Sequence, residues 1–249
     1  MKCVAITSMN FEYFNNYGRV MAKSYSTRFN KDIPLIIYNE DGFSPKLKNV
    51  YTAGWDLGDE FTKFQNRWTE NKKVTTFSKK GFSIIHAMNN IDCDRLIWID
   101  ADAVIEHYIP ELLLKLISPD DVLSTHFGVK HLWEESPTGY AFSCETGFFI
   151  LNKKHSMFED FKKVYTDIYV NDRTTNLRRF YDGEVYGETV RIMEGLGAKM
   201  MELNPGHIHK TPISRSILTP YLSHNKASMK ESVDYQQLES LLDENSESV

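Results

Sequence analysis

The chain has 249 residues, 41% hydrophobic and 25% charged, with 13 Gly and 8 Pro, a composition that excludes disorder, collagen-like repeats and coiled coil for its bulk. Of the net charge of −5, residues 226–249 carry −4 and the remaining chain −1, so the body is not held to nucleic acid by bulk charge. No apolar run approaches the roughly 20 residues of a membrane helix, and Cys3, Cys93 and Cys144 are too far apart for a disulfide framework or a zinc ribbon, so a reduced, cytoplasmic protein is expected.

The opening Met1-Lys2-Cys3-Val4-Ala5-Ile6 is too short an apolar segment for a secretion signal and reads as a strand. Phe14, Tyr17, Met21, Tyr25 and Phe29 then recur at helical spacing. Ile33 to Tyr38 is a second strand, closed by the turn signal Asn39-Glu40-Asp41-Gly42. Residues 43–73 are irregular in pattern. Phe77, Gly81, Ile84, Ile85, Met88 and Ile91 predict a helix leading into the apolar strand Leu96-Ile97-Trp98-Ile99. Strand and helix alternate as in an α/β domain with a largely parallel sheet.

Further on, Pro110 opens a helix carrying Leu112, Leu113 and Leu116. Residues 121–125 and 147–151 read as strands. Ser156 and Glu159 form a capping-box pattern before a helix through Phe158, Phe161, Tyr165 and Ile168. Another helix runs from Asp182 through Val185 and Ile192 to Gly195 and Gly197, and residues 200–203 form a last strand. Residues 1–223 are expected to be one catalytic domain, with 224–249 an acidic tail, frayed or disordered.

Asp100-Ala101-Asp102 is the sharpest chemical feature. In a parallel sheet ligands gather beyond the carboxyl ends of strands, and two acids there present hard oxygen ligands suited to Mg²⁺ or Mn²⁺ and a substrate's phosphates. A polar turn after a strand is the plainer alternative. After the last strand, His207 and His209 lie in a Gly/Pro loop where an imidazole could complete the site, and Lys210 and Arg215 could neutralise phosphate oxygens.

These stretches resemble a glycosyltransferase of the GT-A fold, in the glycogenin and lipo-oligosaccharide galactosyltransferase group. That group's pattern is D-x-D, an Asn-Ala-Gly strand, an Asp-Gln helix start, then His-x-x-Gly-x-x-Lys. The matching stretches here are Asp100-Ala101-Asp102, Glu145-Thr146-Gly147, Asp182-Gly183-Glu184 and His209 to Arg215. Glu145-Thr146 stands for Asn-Ala, Pro212 for the Gly and Arg215 for the Lys.

The resemblance implies a Rossmann-like nucleotide-diphospho-sugar transferase, hexosyl or pentosyl, with a divalent metal and a nucleotide-sugar donor, UDP-sugar favoured. Asp100 and Asp102 would hold the metal with His209 or His207. Thr7, Ser8 and Asn10, after the first strand, would meet base or ribose. Lys79 and Lys80, with Ala101, Lys210 and Arg215, would lie along the diphosphate, unless the two lysines merely solvate a helix start. Glu145, Asp182, Glu184 and Glu188 are the candidates to orient donor hydroxyls or deprotonate the acceptor, although Asp182 could instead cap its helix.

The acceptor is a glycan, or a modified DNA base if the chain is of phage type and works in a host cytoplasm. His126, His131, Trp133 and Tyr140 form either a lid or a core edge. Arg67, Lys72, Lys73 and residues 171–179 form either a basic groove or a solvated loop. A sugar-phosphate nucleotidyltransferase is disfavoured, because Thr7-Ser8-Met9-Asn10 lacks glycine. A haloacid-dehalogenase phosphatase is excluded by Val104 and by the late position of the acids. A catalytically silent nucleotide-sugar-binding protein of the same fold is the remaining alternative.

Overall fold

The computed structural model describes residues 1–132, 140–171, 177, 179–204 and 212–224. The elements, in chain order, are β1 (Cys3–Met9), α1 (Phe11–Tyr13), a π-helical turn (Phe14–Gly18), α2 (Arg19–Arg28), β2 (Leu35–Asn39), β3 (Val50–Ala53), α3 (Asp59–Arg67), α4 (Lys72–Asn90), β4 (Arg95–Ile99) and β5 (Ala103–Ile105). They continue with α5 (Glu111–Ile117), β6 (Ser124–Leu132), β7 (Tyr140–Glu145), β8 (Phe148–Asn152), α6 (Phe158–Val170), α7 (Asp182–Gly195), β9 (Met200–Glu202), a 3₁₀ turn (Pro212–Arg215) and β10 (Leu222–His224).

One sheet runs β3-β2-β1-β4-β8-β6-β7, with β9 added on β6. Its β3, β2, β1 and β4 are parallel, and β9 is parallel to β6. Strand β8 is antiparallel to β4, and β6 is antiparallel to β8 and β7. The result is the expected α/β architecture, a mostly parallel central sheet flanked by helices. Alternation along the strands feeds two cores. Ile6, Leu96, Trp98, Phe149 and Leu151 face the core that includes residues of α4, α6 and α7. Ala5, Ile97, Ile99, Phe148 and Ile150 face the core that includes residues of α2 and α5. Each fully buried aliphatic of these strands contributes about 1.5–3 kcal/mol.

This topology brings distant segments to one edge. Strand β4 ends at Ile99, which pairs with Phe148 at the start of the antiparallel β8. Residues 145–147, just before β8, therefore reach the edge where Asp100 follows β4, and the Asp100 N–H donates to the Gly147 carbonyl at 2.8 Å. Strand β5 follows directly after Asp102 and pairs with β10, placing His224 opposite Ala103. Strand β10 thus crosses the 223/224 boundary expected from the sequence.

The sequence and the structure differ at several elements. Strands β3 and β5 have only 4 and 3 residues, too few to show a period. Helix α3 lies in the segment read as irregular. Helix α4 starts at Lys72, ahead of Phe77, because Asn71 Oδ1 accepts from the Val74 N–H at 3.2 Å and its first turn is polar. Strand β6 starts at Ser124 and runs past the expected end at 125. The Ser156–Glu159 capping box does not form: Met157 holds the cap position of α6 without a side-chain bond, and Glu159 pairs with Lys162 at 2.5 Å. On α5 the buried face is Leu113, Leu114 and Ile117, while Leu112 and Leu116 face out.

Helix α7 lies unusually close to β7. A Cβ on Gly183 would meet the Cys144 carbonyl oxygen at 2.5 Å, and one on Gly187 would meet Ser143 Cα at 2.6 Å. These glycines are four apart, hence on one helix face, and the obstacles are backbone atoms that cannot swing aside. Gly187→Ala should therefore push α7 off the strand and cost about 1–3 kcal/mol, as overpacking does. Gly195→Ala, with no neighbour in reach, should not. Denaturant midpoints of the two variants check this, and equal midpoints would refute the close approach.

Candidate active site

A cavity of about 770 Å³ opens at this strand edge. Ser8, Asn10, Lys79, Lys80, Asp100, Ala101, Asp102, Glu145, Asp182 and Glu184, all singled out in the sequence, line it together. Thr7 does not line it: it is fully buried behind the wall. Arg215 sits exposed at the end of the 3₁₀ turn, away from the cavity lining. Glu188, a turn further along α7, holds Arg191 through two bonds of 2.7 Å. His207, His209 and Lys210 lie outside the described residues.

His224, not singled out in the sequence, is the residue that joins the acids. Single ligand atoms of Asp100, Asp102 and His224 lie within 4.8 Å of one another. The imidazole Nε2 is 3.0 Å from Asp102 Oδ1 and 3.4 Å from Asp100 Oδ2. Its Nδ1 is 3.3 Å from Glu145 Oε1. Gly147 makes room for the ring, since a Cβ there would come within 2.5 Å of Nδ1. Two hard carboxylate oxygens and one imidazole nitrogen converging in this way could hold a divalent metal ion. A carboxylate on the far ring nitrogen is the usual companion of a ligating histidine.

The other oxygens of the pair are held by the protein. Asp102 Oδ2 accepts from the Tyr13 hydroxyl at 2.9 Å. Asp100 Oδ1 accepts from Trp98 Nε1 and from Lys80 Nζ, each at 2.6 Å. Lys80 Nζ also donates to the Thr146 carbonyl at 2.6 Å and lies 3.1 Å from Asp182 Oδ2. All three of its protons thus face acceptors. Burial alone would lower the Lys80 pKa, but Asp100 and Asp182 outweigh it and the ammonium is held charged.

Asp182 does not cap α7. Tyr181 holds the cap position, and the Asp182 carboxylate instead accepts from Thr146 Oγ1 at 2.6 Å. Glu184 Oε2 accepts from the Arg179 N–H at 2.7 Å. Lys79 pairs with Glu40, which follows β2, across the cavity wall. Asn10 Oδ1 is committed to the Tyr13 N–H at 2.7 Å as the cap of α1.

Aromatic residues line the cavity too, but not those anticipated. Phe77 and Tyr181 have ring centroids 4.8 Å apart, and the Arg179 guanidinium lies 5.8 Å from the Tyr181 centroid. His126 is a core residue at 3% exposure, in edge contact with Phe142, and burial pushes its pKa down to about 4. The side chains of His131, Trp133 and Tyr140 lie outside the described residues. Of the basic candidates, Arg67 is tied to the Tyr169 carbonyl at 3.1 Å and to the Phe64 ring, and residues 172–176 and 178 lie outside the described residues.

No family model matches the chain, and no curated protein matches it by sequence. Solved structures do. The galactosyltransferase LgtC in complex with donor and acceptor sugar analogs aligns over 97% of this chain and 95% of its own, at 15% identity and a TM-score of 0.57. The bifunctional glycosyltransferase WbbM aligns over 97% of this chain and 49% of its own, at 14% identity and a TM-score of 0.56. The glycosyltransferase GlyE of Streptococcus pneumoniae TIGR4 aligns over 99% and 64%, at 12% and 0.54. The chain has the GT-A glycosyltransferase fold. Among the described residues no helix is long and apolar enough to cross a membrane.

The electrostatics of His224 can be measured directly. Burial by itself would lower its pKa, but the hydrogen bond to Asp102 and the charges of Asp100 and Asp102 raise it above the ordinary imidazole value of 6.5. A raised folded-state pKa adds stability below about pH 6.5 that is lost as pH rises through the folded value. In metal-free protein, NMR should therefore find His224 titrating above 6.5, and Asp102→Asn should lower that value. A native value below 6.5 would contradict this charge balance.

Proposed function

We propose that the chain is a metal-dependent glycosyltransferase that moves a sugar from a nucleoside-diphosphate sugar, UDP-sugars favoured, to a glycan hydroxyl. The observation that carries this reading is the convergence of Asp100 Oδ2, Asp102 Oδ1 and His224 Nε2 in a cavity whose other acids include Asp182 and Glu184. The fold supports it by analogy, as does the resemblance of LgtC, whose structure holds donor and acceptor sugar analogs.

In this reading Asp100, Asp102 and His224 hold Mn²⁺ or Mg²⁺. The bound ion would supply Lewis-acid neutralisation of charge on the departing diphosphate. Ser8 and the Asn10 amide, at the end of β1, meet the nucleoside. Lys79, on the cavity wall, is the cation available to phosphate oxygens once it leaves Glu40. Asp182 and Glu184, at the first turn of α7, face the donor sugar, where a carboxylate orients hydroxyls or balances positive charge at the anomeric carbon.

A thermal-shift panel of nucleotides and nucleotide sugars, with Mn²⁺ or EDTA, tests the donor site. A ligand at about 100 times its Kd adds about 2.7 kcal/mol, which corresponds to roughly 5–10 °C for a domain of this size. One nucleoside diphosphate should give such a shift with Mn²⁺ and lose it with EDTA, and Asp102→Asn should abolish both the shift and transfer. A panel that is silent throughout would sink the reading in favour of a silent fold relative.

The acceptor is proposed to stack on Phe77 and Tyr181 beside Arg179, because an exposed ring and a half-buried one lining the cavity next to a guanidinium suit the apolar face and the hydroxyls of a sugar. Phe77→Ala should raise the acceptor KM about tenfold while leaving the donor thermal shift unchanged. An unchanged acceptor KM would move the acceptor elsewhere.

A further inference from the structure

Glu145 stands among the acids expected at the donor sugar, yet its carboxylate is directed at the histidine. Oε1 lies 3.3 Å from His224 Nδ1 and accepts the Gly147 N–H at 3.1 Å. The residue is 5% exposed and the imidazole side chain 7%. The backbone bond fixes the carboxylate, and the missing side chain of Gly147 lets the ring lie close over that backbone. The opposite nitrogen, Nε2, faces Asp102 and Asp100.

We infer that Glu145 is a positioning residue of the metal centre: its carboxylate accepts the Nδ1–H of His224, holds the ring in that tautomer, and so presents the Nε2 lone pair between Asp100 and Asp102. The inference rests on the metal reading above and changes the role of Glu145 within it. The two imidazole nitrogens are distinct, and the hydrogen bond made by one decides what the other can do. Without an acceptor at Nδ1, the neutral ring would keep its proton on Nε2, bonded to Asp102, and would offer the cation no lone pair there. A carboxylate at Nδ1 also makes the ring a better donor and fixes its plane. Asp182 and Glu184 then remain as the sugar-facing acids.

The test is Mn²⁺ binding followed by the EPR signal of the free ion, without nucleotide, for native protein, Asp102→Asn and Glu145→Gln. Native protein should bind, Asp102→Asn should not, and Glu145→Gln should bind about 10–100-fold more weakly, the usual loss when a ligand's outer partner is removed. Glu145→Gln affinity within twofold of native, with turnover lost, would overturn the inference and place Glu145 at the sugar. Native protein that binds no better than Asp102→Asn would overturn the metal reading itself. Since Glu145 is buried and its variant could misfold, nitrogen NMR of native protein loaded with diamagnetic Zn²⁺ gives a second readout. His224 should be ligated through Nε2 with a retained Nδ1 proton, and ligation through Nδ1 would refute the assignment.

Discussion

Four of the carboxylates that line the cavity, Asp100, Asp102, Glu145 and Asp182, are bridged by two nitrogen side chains, the Lys80 ammonium and the His224 imidazole. At an effective dielectric of about 20, two like charges 4 Å apart repel by about 4 kcal/mol, so the acids gather only with donors standing between them. Lys80 divides its charge between Asp100 and Asp182. His224 divides its contacts among Asp100, Asp102 and Glu145. The resulting alternation of acceptors and donors is what makes a partly buried acid cluster compatible with a folded chain. It also leaves Lys80 without a donor to spare for a phosphate: in this state it ties Asp100 to Asp182.

The antiparallel insertion of β8 beside β4 supplies much of the rest. It delivers residues 145–147 to the edge where Asp100 emerges, and each of the three is used. The Glu145 carboxylate meets His224. Thr146 gives its carbonyl to Lys80 and its hydroxyl to Asp182. Gly147 gives its carbonyl to the Asp100 N–H and its empty side to the imidazole. The glycine pair of α7 then lets that helix approach β7 closely enough for Asp182 to meet Thr146. A backbone contact thus sets the distance between the two halves of the cavity.

What the sequence made legible was whatever depends on local pattern. The apolar run Leu96 to Ile99 ending in two acids announced a strand edge with hard ligands, and the helical spacing around Phe158 and Val185 announced α6 and α7. His224 was invisible because its partner strand is only three residues long and its companions are about 80 and 120 residues away. A lone histidine at the start of an acidic stretch gives no local sign of that pairing. Phe77 was read as part of a core-facing stripe, since spacing alone cannot tell which apolar member of a helix is left at the rim. Asp182 could be read as a cap or a site residue from sequence, and only the bonds to Thr146 and Lys80 separate the two.

The late arrival of His224 has a thermodynamic consequence for the candidate metal site. Asp100 follows the central strand β4 and Asp102 directly precedes β5, whereas His224 is placed by the pairing of β10 with β5, three residue pairs long. Whatever binds all three ligands binds only the paired form, so its binding free energy adds to the stability of that pairing. Part of the affinity is in turn consumed in holding β10 in place.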